Sequence, residues 1–109
     1  MGRSQRNKGK RGEREFLNQL GELLDCDLSR NLNQSANGGA DSLSLPGWAV
    51  EVKRQERLSI EAWWNQAVTQ AEADNRKPLL AFRRNRTEWR VVLSLEDFAE
   101  LLVQQKQQP

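Results

Sequence analysis

Two acidic residues and a lysine lie close together in the stretch GGADSLSLPGWAVEVKRQ, residues 38–55. If the second half of this stretch is a β-strand, Glu51 and Lys53 project from the same face, about 7 Å apart along the backbone. Asp41 would reach them from the strand before. Carboxylates at this spacing can bind divalent cations that make water nucleophilic, while an ammonium group positions the water or a phosphate. The pattern therefore predicts phosphodiester hydrolysis.

The residue types that the chain lacks narrow the range of possible catalytic mechanisms further. Among its 109 residues there is no histidine and no tyrosine, and Cys26 is the single cysteine. Ser-His and Cys-His nucleophilic pairs, imidazole-bound metals and tyrosine nucleophiles are therefore excluded. An enzyme made from this alphabet must use carboxylates, lysine, arginine and a hard cation such as Mg²⁺. We expect Cys26 to be a reduced, buried or half-buried thiol.

The charge is unevenly distributed along a chain of net charge +2. Basic residues crowd the first 14 positions and recur between residues 76 and 90, and acidic residues gather between and after these clusters. This layout suits a polyanion held near a cation site, although a solvated surface with a basic tail is the alternative. No apolar run is long enough to cross a bilayer, and no secretory signal is evident, so we expect a soluble protein of the cytoplasm.

The first half of the chain predicts a helix that leads to the acidic stretch. Residues 1–7 are polar and without periodicity, and they are expected to form a flexible basic arm. Apolar residues then recur at helical spacing between Lys8 and Leu24. Leu28 to Leu32 is a candidate short strand, and Asn33 to Ala40 a polar turn that ends in two glycines.

A β-hairpin is predicted where the acidic stretch lies. Its strands are Asp41 to Leu45 and Trp48 to Lys53, joined by a Pro-Gly turn. The period of two places Trp48, Val50 and Val52 on one face, which we expect to be in the core. Glu51 and Lys53 share the opposite face.

The second half predicts another helix, a second hairpin and a last helix. Ser59 is a candidate N-cap for a helix that ends near Asp74, and Ser94 is a candidate cap for a helix from Leu95 to about Gln104. The strands between them are predicted at residues 78–83 and 88–93, and residues 106–109 should fray. The fold class is therefore α/β, with a mixed central sheet flanked by helices and a single domain over residues 8–105.

The motif resembles the signature of the PD-(D/E)XK nucleases. Asp41 is followed after nine residues by Glu51-Val52-Lys53, with Gly39-Ala40-Asp41 in place of the Pro-Asp half of the signature. The segment KGKRGEREFLNQL, residues 8–20, is similar to the opening helix of archaeal-type Holliday junction resolvases and related phage enzymes. In that family the first glutamate of the E-R-E triplet joins the active site, which points to Glu13.

This resemblance implies a restriction-endonuclease-like core and a metal-dependent endonuclease, often homodimeric, that cuts branched DNA in recombination or repair. Mg²⁺ is the implied cofactor, with Mn²⁺ as its substitute. Asp41 and Glu51 are the implied metal ligands, Glu13 a ligand or water-orienting carboxylate, and Lys53 the charge that positions water or stabilises the phosphate. Gln66 or Gln70 could face the site from the following helix. The candidate nucleic-acid contacts are basic, namely Lys8, Lys10, Arg11, Arg14, Arg30 and Arg54.

Other interpretations of these residues remain open. Glu51 and Lys53 could form an exposed cross-strand charge ladder, and Glu13 could serve only the dipole of its helix. Trp63 and Trp64 are expected in the core or a dimer interface rather than as base-stacking groups. The protein could be a non-catalytic nucleic-acid-binding protein of nuclease fold, or a nuclease without a preference for junctions. With no obvious base-reading loops in the sequence, we expect recognition of DNA shape rather than base sequence.

Overall fold

The computed structural model describes residues 2–32 and 39–107, with side chains from Gly9 onwards. Its elements in chain order are α1 (Gly2–Leu24), β1 (Trp48–Arg54), α2 (Ile60–Ala73), β2 (Lys77–Arg83), β3 (Arg90–Val92) and α3 (Leu95–Gln107). The sheet has the order β1-β2-β3, with β1 and β2 parallel and β2 and β3 antiparallel. The predicted mixed sheet with flanking helices is confirmed.

Each face of the sheet is covered by a different helix. On one face, Val50 and Val52 of β1 pack with Phe16 and Leu17 of α1. On the other face, Trp63 and Ala67 of α2 pack with Leu80 and Phe82 of β2, and Ala71 packs with Ala49. Alternation along β1 thus places its apolar residues against both helices, as expected for a parallel strand in an α/β fold.

The hairpin that carries the acidic stretch has only one pair of bridging residues. Ser42 and Val50 exchange both backbone hydrogen bonds, at 3.1 and 3.0 Å. Beyond this pair, a side chain replaces the backbone hydrogen bonds between strands. Arg76 Nη1 donates to the carbonyl oxygens of Leu43, Leu45 and Trp48 at 2.6, 3.5 and 3.2 Å. A residue from the loop after α2 therefore holds the turn of the hairpin in place.

The predicted strand at Leu28 to Leu32 is wrong, since the described residues there form no strand. The segment is tied to the hairpin by other means. The backbone N–H of Asn31 donates to the carbonyl oxygen of Asp41 at 2.8 Å, and the hydroxyl of Ser42 donates to the carbonyl oxygen of Ser29. At Ser29, serine hydroxyls rather than a neighbouring strand satisfy both backbone groups, so the segment stays irregular.

Several boundaries differ from the sequence-based expectations. The backbone of α1 begins at Gly2, so the helix includes residues 2–7, which were expected to form a flexible arm. Extending a helix that is already nucleated costs much less than starting one, so it needs no apolar period of its own. The strand predicted at residues 88–93 shortens to β3, and α3 runs to Gln107, past the predicted start of the frayed tail. Cys26 is exposed rather than buried. Most of the predicted turn, residues 33–38, lies outside the described residues.

Both serine caps lie at their predicted helix starts. The hydroxyl of Ser94 accepts the N–H of Asp97 at 3.0 Å and so caps α3. Ser59 takes the N-cap position of α2, but its side chain makes no capping hydrogen bond. The tryptophans behave as core residues, since Trp63 is buried and Trp64 is half-buried against the same cluster.

Candidate active site

A cleft of about 460 Å³ opens where α1 meets the end of β1. Glu13 from α1, Asp41 from the segment before the bridge, and Lys53 from β1 all line this cleft. Glu51 directly precedes Val52, which lines the cleft, and it is close enough to Asp41, Lys53 and Glu13 for their charges to act on its carboxyl. Four residues spread over 41 positions of sequence, from Glu13 to Lys53, thus meet at one place in the fold.

Asp41 is held rigidly at the cleft. The residue is 9% exposed, and its Oδ2 accepts the backbone N–H of Val52 at 2.8 Å. The preceding residues are fixed as well, because Asn31 Nδ2 donates to the carbonyl oxygen of Ala40 at 3.0 Å and Gly39 N–H donates to Gln70 Oε1 at 2.7 Å. Asp41 is therefore positioned from both its side chain and its backbone.

Glu51 is the most deeply buried carboxyl of the site. It is 2% exposed, which overturns the interpretation of Glu51 and Lys53 as an exposed charge ladder. Burial, together with the negative charge of Asp41, raises the pKa of Glu51 to about 8, against the opposing effect of Lys53. Its Oε1 is buried without a hydrogen-bond partner in the described part of the chain. A buried oxygen of this kind is costly unless something binds it.

Glu13 is bound by a neighbouring arginine. Arg30 Nε donates to Glu13 Oε2 at 2.6 Å, and the Glu13 side chain is only 12% exposed. Burial raises the pKa of Glu13, and the nearby Asp41 adds to this, although the hydrogen bond and charge of Arg30 act the other way. Glu13 therefore belongs to the same electrostatic cluster as Asp41 and Glu51, which goes beyond a helix-dipole role.

The donor set suits a hard divalent cation in its chemistry. Glu13, Asp41 and Glu51 offer only carboxylate oxygens, the ligands that Mg²⁺ prefers, and the unpartnered Glu51 oxygen is an available donor. The carboxylates are not preassembled as a ligand cage: within residues 9–32 and 39–107, no three Asp, Glu or Cys side chains are already grouped to hold a metal.

The predicted nucleic-acid contacts fall into two groups. Lys10, Arg11 and Arg14 are exposed on α1 and can meet a ligand directly. Arg30 and Arg54 are half-buried and already paired with glutamates, Arg30 with Glu13 and Arg54 with another residue of α1. The side chain of Lys8 lies outside the described residues.

Two glutamines were candidates for facing the site from α2. Gln66 is exposed, and Gln70 lies behind Asp41, where it binds the Gly39 amide, so neither lines the cleft. The residues that the sequence did not reveal are Arg57, on the rim of the cleft, and Asn31, which fixes the Asp41 backbone. Arg57 follows β1 in the chain and could have been found by extending the motif. Asn31 carries no signal in the sequence.

The fold and the site together define the class of protein. They form a restriction-endonuclease-like core of the PD-(D/E)XK type. Around one cleft this core assembles a helix with an acidic residue, a hairpin with an aspartate, a strand with the E-x-K motif and a covering helix. Residues 4–109 match the family described as "Phage putative PDDEXK endonuclease". The chain belongs to this family.

Two individual proteins are similar to the chain. Protein D14 of Escherichia phage T5 is 27% identical over 115 residues, which cover 84% of this chain and 72% of that protein. The structure of Hjc, a Holliday junction resolvase from the archaeal hyperthermophile Archaeoglobus fulgidus, is similar with a TM-score of 0.50 and 26% identity. That match covers 79% of this chain and 72% of the resolvase. Among the described residues, no helix has the length and apolar character needed to span a bilayer.

Proposed function

We propose that this protein is a divalent-metal-dependent endonuclease that hydrolyses phosphodiester bonds in branched DNA, such as four-way junctions. The observation that carries the proposal is the cleft that Glu13, Asp41 and Lys53 share, with the buried carboxyl of Glu51 beside it. The family supports endonuclease activity, and the similarity to a Holliday junction resolvase supports a branched substrate. We expect the protein to act in the cytoplasm of a bacterial or phage-infected host cell, in recombination or repair.

The proposed chemistry divides the tasks between the three carboxylates and the lysine. Asp41, Glu51 and Glu13 would hold Mg²⁺ or Mn²⁺, which when bound supplies positive charge that acidifies water and offsets charge on the phosphate. Lys53 lines the cleft and donates hydrogen bonds to the attacked phosphate, or orients the water. Water oxygen bonds to phosphorus, the bond from phosphorus to the leaving sugar oxygen breaks, and that oxygen takes up a proton. The proton lost by the water passes to solvent.

The substrate would be held mainly through its phosphates. Exposed basic residues stand on α1 at Lys10, Arg11 and Arg14, and Arg57 stands on the rim of the cleft. Phosphate contacts fix position and orientation on DNA but carry no base sequence information. The arrangement therefore favours recognition of a DNA shape.

We also propose that the protein works as a homodimer. Helix α3 has no buried residue, and its apolar side chains Phe98, Leu101, Leu102 and Val103 are 42–52% exposed. Of these, Leu101 also lines an apolar groove of about 440 Å³, together with residues of α1 and β3. Exposed apolar surface of this kind is typical of a contact with another chain. A two-fold dimer would present two clefts to two strands of one junction.

One cleavage experiment tests the enzymatic proposal. A labelled four-way junction, a linear duplex and a single strand of the same sequence are incubated with the protein and Mg²⁺, Mn²⁺ or EDTA. We expect metal-dependent cutting of the junction, and Asp41→Asn and Lys53→Ala should each lower the rate by about 10²-fold or more. Asp27→Asn and Lys106→Ala make the same chemical changes at exposed positions and should cut like wild type.

Each outcome of this experiment has one interpretation. A protein that binds DNA but cuts none of the substrates is a non-catalytic binding protein. Equal, metal-dependent cutting of all three substrates keeps the endonuclease and removes the junction preference. Cutting that continues in EDTA, or in Asp41→Asn at the wild-type rate, contradicts the assigned site.

A further inference from the structure

Glu15, two residues after Glu13 on α1, bonds to both parallel strands. Its Oε1 accepts hydrogen bonds from Arg83 Nε at 2.6 Å and from Trp89 Nε1 at 3.0 Å. Its Oε2 lies 3.6 Å from Nη1 of Arg54. Arg54 and Arg83 are paired residues at the ends of β1 and β2. One carboxylate thus connects α1 to both strand ends and to the residue that precedes β3.

The two glutamates point to different sides of the helix. Residues two apart in an α-helix are separated by about 200° around its axis. Glu13 is held on one side by Arg30, and Glu15 is held on the other side by Arg54, Arg83 and Trp89. The rotation of α1 about its own axis is therefore fixed by ion pairs on opposite flanks.

One turn before Glu15, α1 packs closely against β1, so a small movement of α1 alters the walls of the cleft. A Cβ added to Gly12 would lie 3.1 Å from the Cβ of Arg54. Arg54 directly follows Lys53 in β1, and both residues line the cleft. A shift of α1 on this side thus changes the position of Glu13 relative to Lys53.

The charges in this network depend on Glu15. Its carboxylate is the shared partner of the Arg83 and Arg54 guanidinium groups and of the Trp89 indole N–H. Arg54 Nε is buried without a hydrogen-bond partner, and within the described chain Glu15 is the acidic group that pairs with Arg54. Removing Glu15 leaves two half-buried guanidinium groups without a carboxylate.

Given the endonuclease activity proposed above, we propose that Glu15 is a positioning residue: it fixes the rotation of α1 so that Glu13 faces Asp41 and Glu51 across the cleft. Glu15 makes no contact with the reacting atoms in this role and acts through Glu13. Misplacement of a reacting group by about 1 Å is enough to cost on the order of 10²-fold in rate.

The test compares Glu15→Gln with Glu22→Gln, which removes a carboxylate from an exposed position on the same helix. Single-turnover cleavage of a four-way junction at saturating protein and Mg²⁺ gives the rate, and titration of labelled junction in Ca²⁺ gives the affinity. The ¹H–¹⁵N resonance of Arg30 Nε–H, which is bonded to Glu13, reports the position of Glu13 without any cleavage. Urea denaturation confirms that each variant is folded under the conditions used.

We expect Glu15→Gln to lower the single-turnover rate by about 10- to 100-fold, with affinity within about threefold, and to move the Arg30 resonance. Glu22→Gln should change none of these. In a Glu13→Gln background, the further change Glu15→Gln should have little effect, because residues that act through one another are not additive. If Glu15 had only a structural role, Glu15→Gln would lower the cleavage rate by the same factor in the wild-type and Glu13→Gln proteins.

Other results overturn the proposal. A folded Glu15→Gln that cuts at the wild-type rate, or an Arg30 resonance identical to wild type, shows that Glu15 does not position Glu13. A loss confined to affinity assigns Glu15 to DNA binding through Arg54 instead. If the wild-type protein cuts no DNA while the Arg30 resonance still moves in Glu15→Gln, the proposed function fails and the coupling of Glu15 to Glu13 stands.

Discussion

Replacing Glu51 with glutamine should stabilise the metal-free protein in neutral and alkaline solution. Glu51 is 2% exposed, and the pKa of its carboxyl is raised from 4.5 to about 8, first by burial and then by the charge of Asp41. Between these two pH values the folded state keeps a proton that the unfolded state has released. The free energy of unfolding therefore falls as pH rises, by about 1.4 kcal/mol for each pH unit.

The full effect is reached above the folded pKa of Glu51. The interval from 4.5 to about 8 corresponds to a loss on the order of 5 kcal/mol, which is comparable to the whole stability of a small domain. Glu51→Gln keeps the shape of the side chain and has no charge to bury. We therefore expect the variant to lose most of this dependence on pH, with a smaller residual slope from Glu13, whose pKa is also raised.

Urea denaturation in EDTA at pH 5, 6.5 and 8 measures this prediction directly. Wild type should lose stability steadily across the series, Glu51→Gln should lose much less, and Glu88→Gln, at an exposed position, should follow wild type. Adding Mg²⁺ at pH 8 should restore stability to wild type more than to Glu51→Gln. Parallel curves for wild type and Glu51→Gln would refute the reasoning, because they would mean that the buried carboxyl carries no electrostatic cost.

Three further predictions concern the frame around the site. Arg76→Met should lower the free energy of unfolding by about 2–3 kcal/mol, because three carbonyl oxygens lose their donor, and a loss below about 0.5 kcal/mol in urea denaturation would contradict this. Gly21→Ala should destabilise the protein by about 1–3 kcal/mol, since the new Cβ would lie 2.6 Å from a backbone oxygen. The Cβ of Gly9→Ala would meet nothing within 4 Å, and this variant should stabilise the protein by about 0.5–1 kcal/mol. Equal melting temperatures for these two variants would count against the close approach at Gly21. Phe98→Asp combined with Leu101→Asp should convert a dimer to a monomer in sedimentation experiments, and an unchanged sedimentation coefficient would show that α3 is not the interface.

The sequence predicts the elements that depend on local periodicity. Apolar spacing identifies α1 and α2, alternation identifies β1, and the serine before Leu95 identifies the start of α3. These patterns work because a helix or strand with one buried face must repeat its apolar residues at the period of its backbone. The combination of Asp41, Glu51 and Lys53 then follows from the hairpin they share.

The rest could not be read from the sequence because it depends on bonds between distant residues. Arg76 lies about 30 positions from the carbonyl oxygens it binds, and its charge reads in the sequence as ordinary surface charge. Glu15 lies 68 positions from Arg83. Neither of these bonds is signalled in the sequence by a periodic pattern or by a local motif. The burial of Glu51 was also missed, because alternation assigns a face to each residue but does not say that α2 covers the second face of β1.

The hydrogen bond from the Val52 amide to Asp41 has a consequence for self-association. Val50 uses the outer edge of β1 to pair with Ser42, and Val52, two residues on, directs its amide to the same edge, where Asp41 caps it. The carboxylate thereby blocks the addition of a foreign strand at a position where an open sheet edge would invite aggregation. Asp41→Ala, a common choice for an inactive enzyme, would expose this donor as well as remove the charge. Asp41→Asn keeps an acceptor there and is the safer inactive variant for binding studies.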